Sequence, residues 1–262
     1  MSIGKVSRLG GRSLAAIFNI RSVLWLSFFA AILASWAVMF MMAQMSGVDL
    51  LGRPVGMNMM PMVTFGALFP MWAIMMAAMM LPTLVPTLGS YEDLIRNANG
   101  TRAGWLAVLL GYFIVWVGFA ALIAGVQVAL IALGAVDALG IASSVWGAAG
   151  LLVVVGLFQF SRAKEVCHGV CHAPMMYFLG HWRPGFVGGL RMGLGLGAFC
   201  VGCCWGFMVL GFVGGVMSLL WMGLATLFMI FEKLPSIGHR ITKPMGAALV
   251  FAGVALPMWA QF

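Results

Sequence analysis

All five cysteines of the chain fall between positions 167 and 204, and two histidines stand directly beside cysteines. Cys167, His168, Cys171 and His172 form CHGVCH, while Cys200, Cys203 and Cys204 form CVGCCW. On a helix, residues three and four apart share a face. Cys167 then stands beside Cys171, His168 beside His172, and Cys200 beside both Cys203 and Cys204. Thiolate and imidazole donors so spaced suit copper(I), zinc or another soft transition metal. Free cysteines also serve as small apolar side chains, and paired thiols can do redox chemistry. The gathering of every cysteine into two blocks favours metal binding over both.

The 23 methionines are the second source of soft ligands. MNMMPM places Met57, Met59, Met60 and Met62 in the expected first external loop, and Met41, Met42 and Met45 close the expected first helix on the same side. Met71, Met75 and Met79 make one helical stripe, with Met76 and Met80 on a neighbouring one. Thioethers bind copper(I), although methionine in apolar packing is more often a flexible filler. Met71 and Met75 are the helical methionines expected to reach the Cys200, Cys203 and Cys204 cluster.

Hard-ion and hydrolytic chemistry lack their usual residues. Asp49, Glu92, Asp93, Asp137, Glu165 and Glu232 all fall in expected loops or at expected helix ends. Carboxylates within spans are the mark of proton relays and ion coupling, so an ordinary pump is disfavoured. No glycine-rich phosphate loop, HExxH or GxSxG motif occurs, which argues against an enzyme. Glu232 and Lys233 read as interfacial snorkelling charges, and His181 and His239 as solvated loop residues.

The elements that must hold these groups are membrane helices. Of 262 residues, 63% are apolar and 8% charged, too few polar side chains to cover a soluble surface. Apolar runs of ~20 residues predict an all-α polytopic membrane protein with about seven transmembrane helices in one bundle. They are 23–45, 64–89, 103–134, 143–163, 186–210, 215–231 and 244–260. A basic cytoplasmic segment, 1–22, precedes a single transmembrane helical domain, 23–262, and the first helix reads as uncleaved. Thirteen of the fourteen basic residues then fall on one side, all but Arg53. The Lys/Arg bias sets orientation, with the N-terminus cytoplasmic and the C-terminus external in a bacterial inner membrane. The net charge of +8 is thereby topological, and nucleic acid is not expected as a partner. Gly104, Gly111, Gly118 and Gly125 recur every seven residues, and Gly185, Gly189, Gly193 and Gly197 every four. Such stripes allow close helix approach in lipid. No repeat period of 20–50 residues is evident.

Five blocks in order resemble a bacterial family of integral membrane proteins predicted to bind metal, whose function is unknown. They are MWAIMMAAMMLP (71–82), GLFQFSRAKEVCHGVCHAP (156–174), HWRPG (181–185), MGLGLGAFCVGCCWGFM (192–208) and WMGLATLFMIFEKL (221–234). The resemblance covers roughly 64–256 and implies an all-helical membrane fold with a metal site. Where the family pattern has His-Gly before its CxGCCW block, this chain has Leu196 and Gly197. The expected function is binding or passing a soft metal, copper(I) first. The alternatives are a structural subunit of a larger membrane complex and a membrane thiol oxidoreductase. At ~1.5 Å per residue, Cys200 lies ~21 Å and Cys204 ~27 Å from Phe186. That arithmetic predicts two separate thiol clusters: Cys200, Cys203 and Cys204 in the outer half at the depth of Met71 and Met75, and CHGVCH at the cytoplasmic face.

Overall fold

The computed structural model describes residues 20–55, 63–234 and 236–259. The cluster Met57, Met59, Met60 and Met62 lies outside the described residues, as does the side chain of His239. The chain is all-helical: α1 (Ile20–Met45), α2 (Phe65–Met80), α3 (Val85–Asn97), α4 (Arg102–Ala132), α5 (Val145–Phe158) and α6 (Arg162–His172) come first. After them come α7 (Pro174–His181), α8 (Gly185–Val209), α9 (Gly211–Gly214), α10 (Leu219–Glu232) and α11 (Gly238–Trp259). A 3₁₀ turn, Pro82–Leu84, joins α2 to α3 so that 65–97 runs as one long apolar rod. Among the described residues, five helical units are long and apolar enough to cross a membrane: Ile20–Met45, Phe65–Asn97, Arg102–Ala132, Gly185–Gly214 and Arg240–Trp259.

Two expected spans take other forms. The fourth does not end at 163. α5 stops, the chain bends by 63°, and α6 continues. The last amides of α5 close i→i+3 turns, Gln159 N to Gly156 O and Phe160 N to Leu157 O, the tight geometry with which helices finish. Ser161 then caps a new helix, accepting from Lys164 N at 3.1 Å, with Glu165 in the first turn where the helix dipole favours an anion. The sixth, α10, is apolar but only 14 residues long, short of the ~20 needed to span.

α4 and α8 run parallel in the centre, and the glycine stripes bring them together. A methyl group on Gly189, Gly193 or Gly111 would fall on the backbone of Gly104, Val108 or Leu190 respectively. The C-terminal half of the first stripe plays no such part, since nothing lies within 4 Å of an added Cβ at Gly118 or Gly125. Gly193→Ala is therefore expected to destabilise the protein by ~1–3 kcal/mol through overpacking, seen as a lower unfolding temperature in detergent. Gly118→Ala should leave it unchanged, and equal midpoints for the two would remove the tight crossing. α5 and α11 pair antiparallel, with Gly156 against Gly246 and Val250, and Gly253 against Ala149.

One end of the bundle is tied by charge. Glu92, buried, accepts from Arg21 at 2.7 Å, Arg102 at 2.8 Å and Trp25 at 3.0 Å, fastening α1, α3 and α4. The opposite end is closed by two loops of matching V-D-x-L-G sequence. Asp49 accepts from the amides of Leu51 and Arg53, and Asp137 from those of Leu139 and Ile141. The first loop then bonds the start of α10, Leu220 N to Leu50 O, and the second bonds α9, Ala142 N to Phe212 O.

Candidate metal centre

The two cysteine motifs meet. α6 runs back along α8, so Cys171 Sγ lies 3.8 Å from Cys203 Sγ. The sulfurs of Cys171, Cys200 and Cys203 all lie within 4.8 Å of one another. Cys204 Sγ is 3.2 Å from Cys203 Sγ, and the Cys167 sulfur rests against Gly202. The expectation of two separate clusters is thus overturned. The segment expected in the cytoplasm folds into the bundle because its inward face carries Lys164, Cys167, His168 and Cys171, at intervals of three and four residues. Lys164 and His168 are buried, while Arg162, Ala163, Glu165 and Val166 face outward.

Three thiolates so placed make a soft, closed donor set. With metal–thiolate bonds near 2.3 Å, a trigonal plane separates its sulfurs by ~4.0 Å, close to the 3.8 Å between Cys171 and Cys203. All three of Cys200, Cys203 and Cys204 are buried.

Around the thiols stands a set of buried polar groups, several of them unexpected. Lys233 Nζ donates to Cys200 Sγ at 3.1 Å and to Thr83 Oγ1 at 2.8 Å. Tyr112 Oη lies 3.0 Å from the same sulfur. A thiolate at Cys200 would therefore be paired and hydrogen-bonded, which burial of a charge requires. Lys164 and Glu232, each only 1% exposed, form an ion pair at 2.9 Å. Lys164 Nζ also donates to the Cys203 carbonyl at 2.8 Å, and Thr242 Oγ1 donates to Glu232 Oε1 at 3.0 Å. The interfacial reading of Glu232 and Lys233 is corrected: both are buried beside the thiols, Lys233 with 8% of its surface exposed. α10 ends inside the bundle, so its final residues meet protein, not water.

The histidines serve that same helix end. His168 and His172 each donate Nε2–H to the Glu232 carbonyl, at 2.8 and 2.7 Å, one of the carbonyls that a helix C-terminus leaves without an internal partner. Their rings lie 4.0 Å apart, and among the described residues neither ring nitrogen joins the sulfur trio. His181 is exposed, as expected.

The methionines of α2 are buried, Met71 and Met75 among them, but at another level. Met71 sits with Ser46, Gln127, Val216 and Met217, towards the loop end. Cys200 reaches, through Lys233, the level of Thr83. Met75 and Met71 precede Thr83 by eight and twelve residues, ~12 and ~18 Å along a helix. The shared depth expected for Met71 and Met75 with Cys200 is not found.

Lys164, Glu232, Lys233, Tyr112, Thr83 and Thr242 are the residues that motif reading missed. A signal existed for Lys164, which stands three, four and seven residues before Cys167, His168 and Cys171.

The family model of PpoB2, described as a copper chaperone, matches residues 69–256. No curated protein and no solved structure matches the chain.

Proposed function

Because the chain belongs to the PpoB2 copper chaperone family, we propose that it is a membrane-embedded carrier of copper(I). A single ion is held by Cys171, Cys200 and Cys203 and passed on by exchange between thiolates. The observation that carries this reading is the convergence of CHGVCH and CVGCCW on one sulfur trio. Copper(I) prefers such soft donors, and zinc, which they would also bind, normally takes four. Cys204 and Cys167, adjacent to the trio, are the next thiols in an exchange. Lys233 and Tyr112 balance charge at Cys200, while His168 and His172 hold the α10 terminus in place. Met71 and Met75 are candidate relay ligands between the loop end and the thiols.

In this reading the chain makes about seven crossings of a bacterial inner membrane, as one domain over 23–262. The bent α5–α6 pair counts as one crossing and the short α10 as another. The N-terminus is cytoplasmic and the C-terminus external. With Arg162 inside the bent crossing and Lys164 and Lys233 assigned to the bundle interior, ten of the fourteen basic residues still fall on the cytoplasmic side, which supports that orientation.

Loading the purified protein with copper(I) under reducing conditions tests the function. One tightly held ion per chain is expected, with an absorption-edge spectrum showing sulfur neighbours only. Simultaneous Cys171→Ser, Cys200→Ser and Cys203→Ser substitution should abolish retention. Equal copper content in that variant and the parent would refute the carrier reading.

A further inference from the structure

α1 is the least buried of the five helical units long enough to cross a membrane, and between it and α4 runs a groove of about 610 Å³. Leu24, Phe28 and Ala31 form one wall, Trp105, Leu110 and Phe113 the other, and α2 supplies the floor. Ala31 and Leu110 are exposed, so the groove opens sideways, towards the surrounding lipid. Its only hydroxyl side chains are Ser27 and Ser35, and Ser35 donates to the Ala31 carbonyl at 2.8 Å. Such walls offer hydrocarbon contact and almost no polar recognition. Along α1 the lining reaches from Leu24 to Ser35, ~16 Å at ~1.5 Å per residue. One leaflet is half of a ~30 Å hydrocarbon core. The groove is one leaflet deep.

One end of the groove carries charge. Arg21 stands three residues before Leu24 and seven before Phe28, and Arg102 three before Trp105. Both arginines therefore continue the two walls by one turn. Their guanidiniums share the Glu92 carboxylate, at 2.7 and 2.8 Å, so two positive charges meet a single negative one. Asp93 and Arg96, exposed on α3, add one charge of each sign and leave that surplus unchanged. Arg21 keeps 46% of its side-chain surface exposed and Arg102 30%. With five N–H donors on each guanidinium, both can take a further anion.

We propose that this groove holds one acyl chain of an anionic phospholipid whose phosphate sits at Arg21 and Arg102, joining α1 to α4. The surplus positive charge selects an anionic head group over a zwitterionic one. The depth fits a chain from the leaflet whose head groups lie at the Glu92 end. The proposal requires that these helices cross a membrane, and it uses nothing of the copper reading.

Native mass spectrometry of the full-length protein, released from detergent micelles containing phosphatidylglycerol or phosphatidylcholine, counts the lipid retained. Phosphatidylglycerol is expected to be held about fivefold more tightly, the ~1 kcal/mol that one basic residue contributes towards an anionic lipid. Arg21→Gln should remove that preference and Arg21→Lys should keep it, which separates charge from packing. Ala31→Trp, at an exposed site, fills the groove and should cut retention of phosphatidylglycerol by about fivefold or more. Leu33→Trp, at a 70% exposed position outside the groove, should not. Phosphatidylglycerol should also raise the unfolding temperature of the parent and not that of Ala31→Trp. Equal retention of the two lipids by the parent, or parental retention by Ala31→Trp, overturns the proposal. So does another occupant: an isoprenoid quinone that copurifies with the parent and not with Ala31→Trp, or a dimer that Ala31→Trp dissociates.

Discussion

Cys171→Ser alone is expected to cost copper(I) affinity as much as Cys200→Ser or Cys203→Ser, although it lies in a different motif and on a different helix. The reason is geometric: its sulfur is 3.8 Å from that of Cys203 and belongs to the same trio. Loss of an outer-shell partner typically lowers metal affinity ~10–100-fold, and loss of a thiolate bond to the ion should exceed that range. Competition with a chromophoric copper(I) chelator measures it. Cys167→Ser, outside the trio, should fall within the outer-shell range. Two independent sites would behave otherwise, with Cys171→Ser leaving one tight site untouched. That result would refute the single centre.

The second large effect concerns stability. Lys164→Met is expected to destabilise the protein by ~3–5 kcal/mol, because it strands the Glu232 carboxylate in a site with 1% exposure, and an unpaired buried charge costs about that much. The double variant Lys164→Met with Glu232→Leu should recover most of the loss, since an apolar pair of similar volume replaces a buried ion pair at little cost. Arg21→Gln is the comparison: its bond to Glu92 is shorter, 2.7 Å, but the arginine is 46% exposed. Pairs open to solvent contribute only ~0–1 kcal/mol. Thermal unfolding of the three variants in one detergent orders them. A Lys164→Met protein as stable as Arg21→Gln would mean that water reaches the Glu232 site.

Much of this architecture is legible in the apolar runs, and its departures have physical causes. α1, α4 and α8 follow from largely uncharged stretches and agree with the expected spans within a few residues, while the 65–97 rod runs eight residues past the expected end at 89 and takes in Glu92, Asp93 and Arg96. The close crossing of α4 and α8 follows from glycines at 104, 111, 189 and 193. The fate of α6 does not follow from hydropathy. RAKEVCHGVCH is polar enough to pass for a cytoplasmic loop, and it enters the bundle only because its polar face finds partners. Lys164 needs Glu232, and His168 and His172 need the carbonyl at the end of α10. Those partners lie 60 or more residues along the chain, beyond what local periodicity reports. The same blindness moved the site: counting rise along α8 located its thiols on that helix but said nothing of which neighbour they meet.

The buried Lys164–Glu232 pair also bears on how the protein is made. During synthesis Lys164 is joined to the chain 68 residues before its counter-ion. A lone lysine at the bilayer centre costs roughly 2.5–3.5 kcal/mol on the insertion scale, so the nascent α6 has its lowest free energy at the membrane surface. Once α10 is inserted, Glu232 neutralises that lysine and the Glu232 carbonyl engages both histidines. The thiols of α6 thus join those of α8 only after α10 is complete. Until then Cys171 stands apart from CVGCCW, and the sulfur trio comes into being as one of the last events of folding.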